Sequence, residues 1–294
     1  MPHAHRDDKR SLKIALAITT IFLLVELGGG LAAGSLALVS DAGHMFSDVL
    51  AFLLSLGAIT LAARLPTKQQ TYGFRRAEVF AAFGNALLLI AVSAGIFWEA
   101  YQRVLHPEPV HGLLMGAVAV AGLISNAAVA FLLHGSRNLN VRSAFLHVIG
   151  DTVSSVAVIA AAVWIALTGQ TIVDPVLSGL ISILIVISAV GILRETLGIL
   201  LQFTPKNINF DDVVTEMQSV DGVSGVHHVH LWSLSSDINV LDAHIYSCKK
   251  EMPEFEAIKK ELKKRLEKFN IRHSTLEFEC EECQECSIVE PDGK

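Results

Sequence analysis

The sequence predicts an α-helical membrane domain of six transmembrane helices followed by a small α+β cytoplasmic domain. Three observations lead there. Of 294 residues, 52% are hydrophobic and only 18% charged, the composition of an integral membrane protein. The apolar residues crowd into the chain ahead of position 203, while charge runs such as Lys259, Lys260, Glu261, Lys263, Lys264 and Arg265 fall after it. Within the apolar stretch a single pattern occurs twice, as His44-x-x-x-Asp48 and His147-x-x-x-Asp151.

The elements follow in chain order. Residues 1–12 are polar and lack the apolar core of a secretory signal, so a cytoplasmic N-terminal tail is expected rather than a cleaved leader. Spans are expected at residues 13–33, 37–63, 78–102, 112–134, 142–168 and 173–200, each near the roughly 20 apolar residues needed to cross a bilayer. Together they form a membrane domain over 13–203. Basic residues set its orientation. Arg6, Lys9, Arg10, Lys13, Arg64, Lys68, Arg75, Arg76, Arg137, Arg142 and Lys206 all fall on one side, whereas the opposite loops contain only Arg103. Both termini are therefore expected in the cytosol.

Residues 204–294 form the second domain, large enough to fold alone. Its pattern reads helix 210–219, strand 225–234, strand 238–247, helix 253–269, strand 272–280. Alternation at Val226, His228, His230 and at Val240, Asp242, His244 marks the strands, because period two places alternate residues on one face. The net charge of −6 is concentrated in an acidic tail from Glu277 to Glu290. That balance argues against nucleic acid as a partner and for attraction of cations to the cytoplasmic end.

The paired motif carries the chemistry. Residues four apart on a helix share a face, so each copy aims an imidazole nitrogen and a carboxylate oxygen at one point. Two facing helices then supply two nitrogens and two oxygens from His44, Asp48, His147 and Asp151. A tetrahedral set of that kind suits Zn²⁺, tolerates Co²⁺ and Cd²⁺, and matches Ca²⁺ or Mg²⁺ poorly. A single embedded His or Asp is commonly an interhelical hydrogen-bond partner. Four together, each costly in hydrocarbon, call for partners or a function. Histidine titrates near neutrality, so an imidazole nitrogen holds either metal or proton, which is the chemistry of proton-coupled antiport. Glu26, Asp41, Asn85, Asn126 and Asp174 are further polar residues in the spans; Asp41 lies on nearly the same face as His44, and a structural hydrogen bond is as good an account of each as a transport role.

Three of the four cysteines form Cys280-x-x-Cys283-x-x-Cys286 in the domain placed in the cytosol, where reduced thiols favour metal over disulfides. Three thiolates at that spacing leave a fourth zinc position open. His3 and His5, on the other cytoplasmic end, are candidates to complete this tail site, and a disordered tail is the alternative.

The runs LALVSDAGHMFSD from Leu36 to Asp48, YGFRRAE from Tyr72 to Glu78, His147 to Asp151, Asp174-Pro175, and HHVHLW from His227 to Trp232 resemble the cation diffusion facilitator family, in its zinc-transporting branch. The resemblance covers nearly the whole chain. It implies a homodimer of six-helix domains, each followed by a metallochaperone-like domain, exporting divalent metal from the cytosol in exchange for protons by alternating access. It makes His44, Asp48, His147 and Asp151 the transport site, with His in both helices accompanying a zinc preference, and it places cytoplasmic ligands at His227, His244, Glu277 and Glu279. Two departures stand out. The loop from Pro66 to Arg75 lacks the Asp and His ligands some members carry there, and the segment from His134 to Arg142 is too short for a His-rich loop. The first implies that the additional loop site is absent; the second favours a bacterial or otherwise minimal member, with the bacterial inner (plasma) membrane as the expected location.

The expected function is thus a zinc/proton antiporter, with Zn²⁺ as cargo and bound ligand and protons as counter-ion. A membrane-anchored metal sensor is the alternative, but an anchor has no need of two embedded motifs. An enzyme is disfavoured because four protein ligands leave no open position for water. A channel is disfavoured because permeation needs weak or multiple sites.

Overall fold

The computed structural model describes residues 2–62, 67–134, 139–247, 252–280 and 288; within its helices, the side chains of residues 2–12, 51–52, 54–62, 139–147 and 150 lie outside that description. Six long helices come first: α1 (Pro2–Ala33), α2 (Leu36–Ala62), α3 (Ala77–Leu105), α4 (Gly112–Leu133), α5 (Leu139–Thr168) and α6 (Val173–Leu200). Five stretches among the described residues are long and apolar enough to cross a membrane: Lys13–Ala33, Ala77–Leu105, Gly112–Leu133, Asp151–Thr168 and Val173–Leu200. The expected sixth, α2, is helical over 27 residues, but the side chains of much of its second half lie outside the description, so it is not among the five. The chain divides into two compact units, residues 1–57 with 84–193, and residues 58–83 with 194–294.

The first unit is inside-out by the standard of a water-soluble protein. Leu113, Phe131 and Leu167 are more than four-fifths exposed, as expected of faces that meet lipid. Its interior is built on small residues, including Ala37, Ala119, Ala161, Ala162 and Ala189, around Leu38, Met115 and Val158. Small side chains let membrane helices approach closely. At Gly112 a methyl group would stand 2.9 Å from the backbone nitrogen of Ala166, so α4 and α5 touch there through backbone.

Asp174, in the first turn of α6, is fully buried. It accepts hydrogen bonds from Ser35 Oγ at 2.6 Å, the Leu36 amide at 2.7 Å and the Ala37 amide at 3.2 Å. Those amides are otherwise unsatisfied donors at the start of α2, where the helix dipole also favours a carboxylate. Of the two accounts of Asp174, the structural hydrogen bond is the one seen. Arg103 pairs with Glu99 at 3.0 Å and Glu108 at 3.0 Å, and donates to the Gly34 carbonyl at 2.6 Å. Gly34 has φ +70° and lies against the Pro109 carbonyl, a position only glycine fills without strain.

The second unit contains α7 (Phe210–Gln218), β1 (Gly225–Ser235), β2 (Ile238–Tyr246), α8 (Met252–Leu266), a single 3₁₀ turn (Glu267–Phe269) and β3 (Ile271–Glu279). The sheet order is β1-β2-β3, with β1–β2 antiparallel and β2–β3 parallel. The parallel pair requires a crossover, which α8 supplies. Asn209 caps α7 by accepting from the Asp211 amide at 3.1 Å. Ile258, Leu262 and Leu266, spaced by four, present one apolar stripe of α8 to a core with Val213, Met217, Leu241 and Ile245. Asn270, at φ 57°, turns the chain from the 3₁₀ segment into β3.

Candidate metal centres

The membrane site rests on two helices. His44 and Asp48 stand one turn apart on α2, and Asp151 stands on α5. One ligand atom of each lies within 4.8 Å of the others, and His44 Nε2 is 3.2 Å from Asp151 Oδ1. Ligands bonded tetrahedrally to zinc at about 2.0–2.1 Å lie roughly 3.3 Å from each other, so this separation fits two neighbouring corners of such a site. His147 sits one turn before Asp151 on α5; its side chain lies outside the described ones.

The surroundings hold α5 in place. Ser155 Oγ donates to the Asp151 carbonyl at 3.1 Å and accepts from Asn126 Nδ2 at 3.2 Å, so Asn126 on α4 reaches the ligand's helix rather than the ligand. Asn85 donates to Ser47 Oγ at 3.2 Å, bracing α2 against α3 in the same way. Asp41 is buried one turn before His44. Glu26 is 1% exposed and its Oε2 has no hydrogen-bond partner among the described residues, while a methyl group on Gly122 would fall 2.5 Å from its Oε1. Sequence reading names Glu26 only as a polar residue of the first span; the available signal is that glycine opposite it makes room for the carboxylate, which needs the helix pairing to be seen.

The cytoplasmic cluster is a product of strand register. His227 on β1 faces His244 on β2, and His244 lies beside Glu277 on β3. Glu279, two residues on, shares the face of Glu277. The result brings His227, His244 and Glu279 within 4.8 Å of one another. His244 Nδ1 is 2.7 Å from Glu279 Oε1, and His227 Nε2 is 3.1 Å from Glu279 Oε2. The more exposed Glu277 stands off, 3.7 Å from His244 Nε2.

His227 is 8% exposed, and among the described residues its Nε2 makes no hydrogen bond of good geometry despite the nearby carboxylate. A buried imidazole nitrogen left in this state beside a second imidazole and a carboxylate is a donor set that fits Zn²⁺. A bulge follows His227, with His228 at φ 50°. It breaks the simple alternation expected for β1, and the His228 ring lies 4.7 Å from that of His244 and 4.8 Å from that of His230.

Of the expected tail site, Cys280 follows β3, exposed and in no disulfide among the described residues, Cys283 and Cys286 lie outside the described residues, and so do the side chains of His3 and His5. The Val229 amide donates to the Ile288 carbonyl at 2.8 Å, which returns the chain beyond the cysteines to the bulge on β1.

Family models match both domains of the chain: the cation efflux transmembrane domain over residues 12–201, and the cytoplasmic domain of cation efflux proteins over residues 205–280. The chain belongs to the cation diffusion facilitator family. Among curated relatives of this family it is 39% identical to the zinc transporter ZitB of Pectobacterium atrosepticum, over 97% of this chain and 91% of that protein. It is 38% identical to ZitB of Escherichia coli, over 97% and 92%. A third relative is the cadmium, cobalt and zinc/H⁺-K⁺ antiporter of Bacillus subtilis, 34% identical over 96% and 93%. The family transports metal ions and is not a class of enzymes. The full-length match sets α2 and α5 within the transmembrane domain and the β-strand histidines within the cytoplasmic one.

Proposed function

We propose that this chain is a zinc/proton antiporter that exports Zn²⁺ from the cytosol by alternating access, with Cd²⁺ and Co²⁺ as further cargo. The observation that carries this reading is the convergence of His44, Asp48 and Asp151 from two helices of a membrane bundle. His147, one turn from Asp151, completes two nitrogens and two oxygens. In this reading α2 is the sixth span, both termini are cytoplasmic, and the protein works as a homodimer in the inner membrane of a bacterium. The relatives' names support the cargo: two are called zinc transporters, and a third is called an antiporter of cadmium, cobalt and zinc against protons and potassium.

The chemistry needs ligands that release. Neutral imidazole binds zinc and protonated imidazole cannot, so a proton arriving from the acidic side displaces the metal and its departure on the cytosolic side restores the site. His227, His244 and Glu279, with Glu277 at their edge, hold a second, cytoplasmic zinc, and Cys280, Cys283 and Cys286 with His3 and His5 form a tail site that senses or hands over cytosolic zinc.

The test is zinc uptake into proteoliposomes carrying the purified chain, with and without an imposed pH gradient, beside His147→Ala. Gradient-driven uptake lost in the variant is the expected result. Zinc binding without movement in correctly inserted protein would overturn antiport in favour of a membrane-anchored sensor.

A further inference from the structure

The YGFRR run between α2 and α3 serves no purpose in the transport reading. In the second unit Tyr72, Arg75 and Arg76 line a cavity of about 340 Å³ whose other walls include Gln202, Trp232 and Leu234. Among the described residues no carboxylate lines it. Among the described residues neither guanidinium forms an ion pair, and Arg76 Nε is buried with no hydrogen-bond partner. Glu78, on the next turn, accepts instead from Ser236 Oγ at 3.4 Å. The polar lining therefore offers two permanent cations, an indole N–H, an amide and a phenol, with uncompensated positive charge. Guanidinium groups recognise phosphate oxygens.

Position along the chain sets the source of the phosphate. Arg76 immediately precedes the span Ala77–Leu105, and Gln202 follows the span Val173–Leu200 by two residues. Arg76 and Gln202 thus flank, in sequence, the ends of two candidate spans, the positions at which a span meets the headgroup region. Phe80 and Phe203, within four residues in sequence of Arg76 and Gln202, are each 61% exposed, and Leu234 gives the cavity an apolar wall. Gln202 is held at φ 60°, a left-handed conformation uncommon for a residue with a side chain and one that clusters at ligand clamps.

We propose that this cavity binds the phosphate of an anionic glycerophospholipid headgroup. A lipid so held contacts the α2–α3 loop, the end of α6 and β1 together, all within one compact unit.

The experiment uses the full chain in neutral detergent, with lipid retention read by native mass spectrometry and thermal unfolding as the second readout. The probes are phosphatidylglycerol, phosphatidylcholine, glycerol 3-phosphate and inorganic phosphate. Phosphatidylglycerol is expected to bind once per protomer and to raise the unfolding midpoint, with phosphatidylcholine much weaker. Arg75→Gln and Arg76→Gln should each weaken it about fivefold, the weight of one basic residue against an anionic headgroup, while Lys263→Gln on the exposed face of α8 leaves it unchanged. Should either glutamine variant fail to fold, Arg75→Lys and Arg76→Lys keep the charge and lose the fork, and weaker retention is still expected. Equal binding of the two lipids, or retention unaffected by the arginine variants, overturns the proposal. Equal protection by inorganic phosphate or glycerol 3-phosphate makes the cavity a free-anion site and overturns the lipid assignment.

Discussion

His44 Nε2 and Asp151 Oδ1 meet at 3.2 Å across 107 positions of sequence. That contact joins α2 to α5 and defines one edge of the candidate transport site, with Asp48 beside it. In the proposed four-ligand site, removing either carboxylate leaves three ligands and less negative charge to offset a divalent cation. Asp48→Ala and Asp151→Ala should each lower zinc uptake by more than about a hundredfold, beyond the cost of losing an outer-shell partner. Uptake assays paired with size-exclusion chromatography check this: an intact elution profile with normal uptake would remove these residues from the site.

Asp174 acts on stability rather than on metal. Asp174→Ala strips three hydrogen bonds from the start of α2 and leaves buried donors unmade, at a cost of about 2 kcal/mol. Asp174→Asn keeps an acceptor and should lose roughly half as much. Thermal unfolding in detergent distinguishes the pair, and equal midpoints for Asp174→Ala and wild type would contradict the capping role.

The cytoplasmic cluster should bind zinc independently of transport. His227→Ala and Glu279→Gln are each expected to lower bound zinc by one ion per protomer in equilibrium dialysis. Because ligand binding stabilises the folded state, chelation should lower the unfolding midpoint of wild type and leave that of His227→Ala unmoved. A drop of the same size in both would place the metal elsewhere.

Glu216 supplies a pH signature outside the membrane. Lys268, at 2.8 Å, and Arg265 hold its carboxyl below the ordinary range. A depressed folded-state pKa contributes stability above the unfolded pKa of about 4.3, and that contribution is lost as pH falls through the lower folded value. Comparison of Glu216→Gln with wild type should show a small deficit at neutral pH that closes only in the acid range, because an exposed pair is weak. A deficit that persists at about pH 2, below both values, would assign the effect to something other than charge.

The strands of the cytoplasmic domain are legible from alternation, but their ligand cluster is not. His227, His244 and Glu279 come together only because β1 pairs antiparallel with β2 while β3 runs parallel to it, and register between strands depends on turns and core packing rather than on local pattern. The bulge at His228 shows the same limit: period two puts His228 and His230 on one face, whereas the inserted residue swings the His228 ring against His244 as well. Asp174 is legible as a polar residue at the start of a span, and its work as a cap for α2 is not, since its partners lie 137 to 139 positions away.

By itself the sequence determined the membrane domain, the faces of α2 and α5 that carry the paired motif, and the order of elements beyond Pro205. These are local matters: bilayer thickness dictates the length of an apolar run, and the helical repeat aligns residues four apart. Tertiary structure alone decided that His44 faces Asp151, that Asp174 caps a helix distant in sequence, that Glu26 lies against Gly122, and that Arg75, Arg76 and Trp232 share one cavity. Each of these depends on which elements pack together, and packing is settled by complementarity across the whole fold, which no window of neighbouring residues contains.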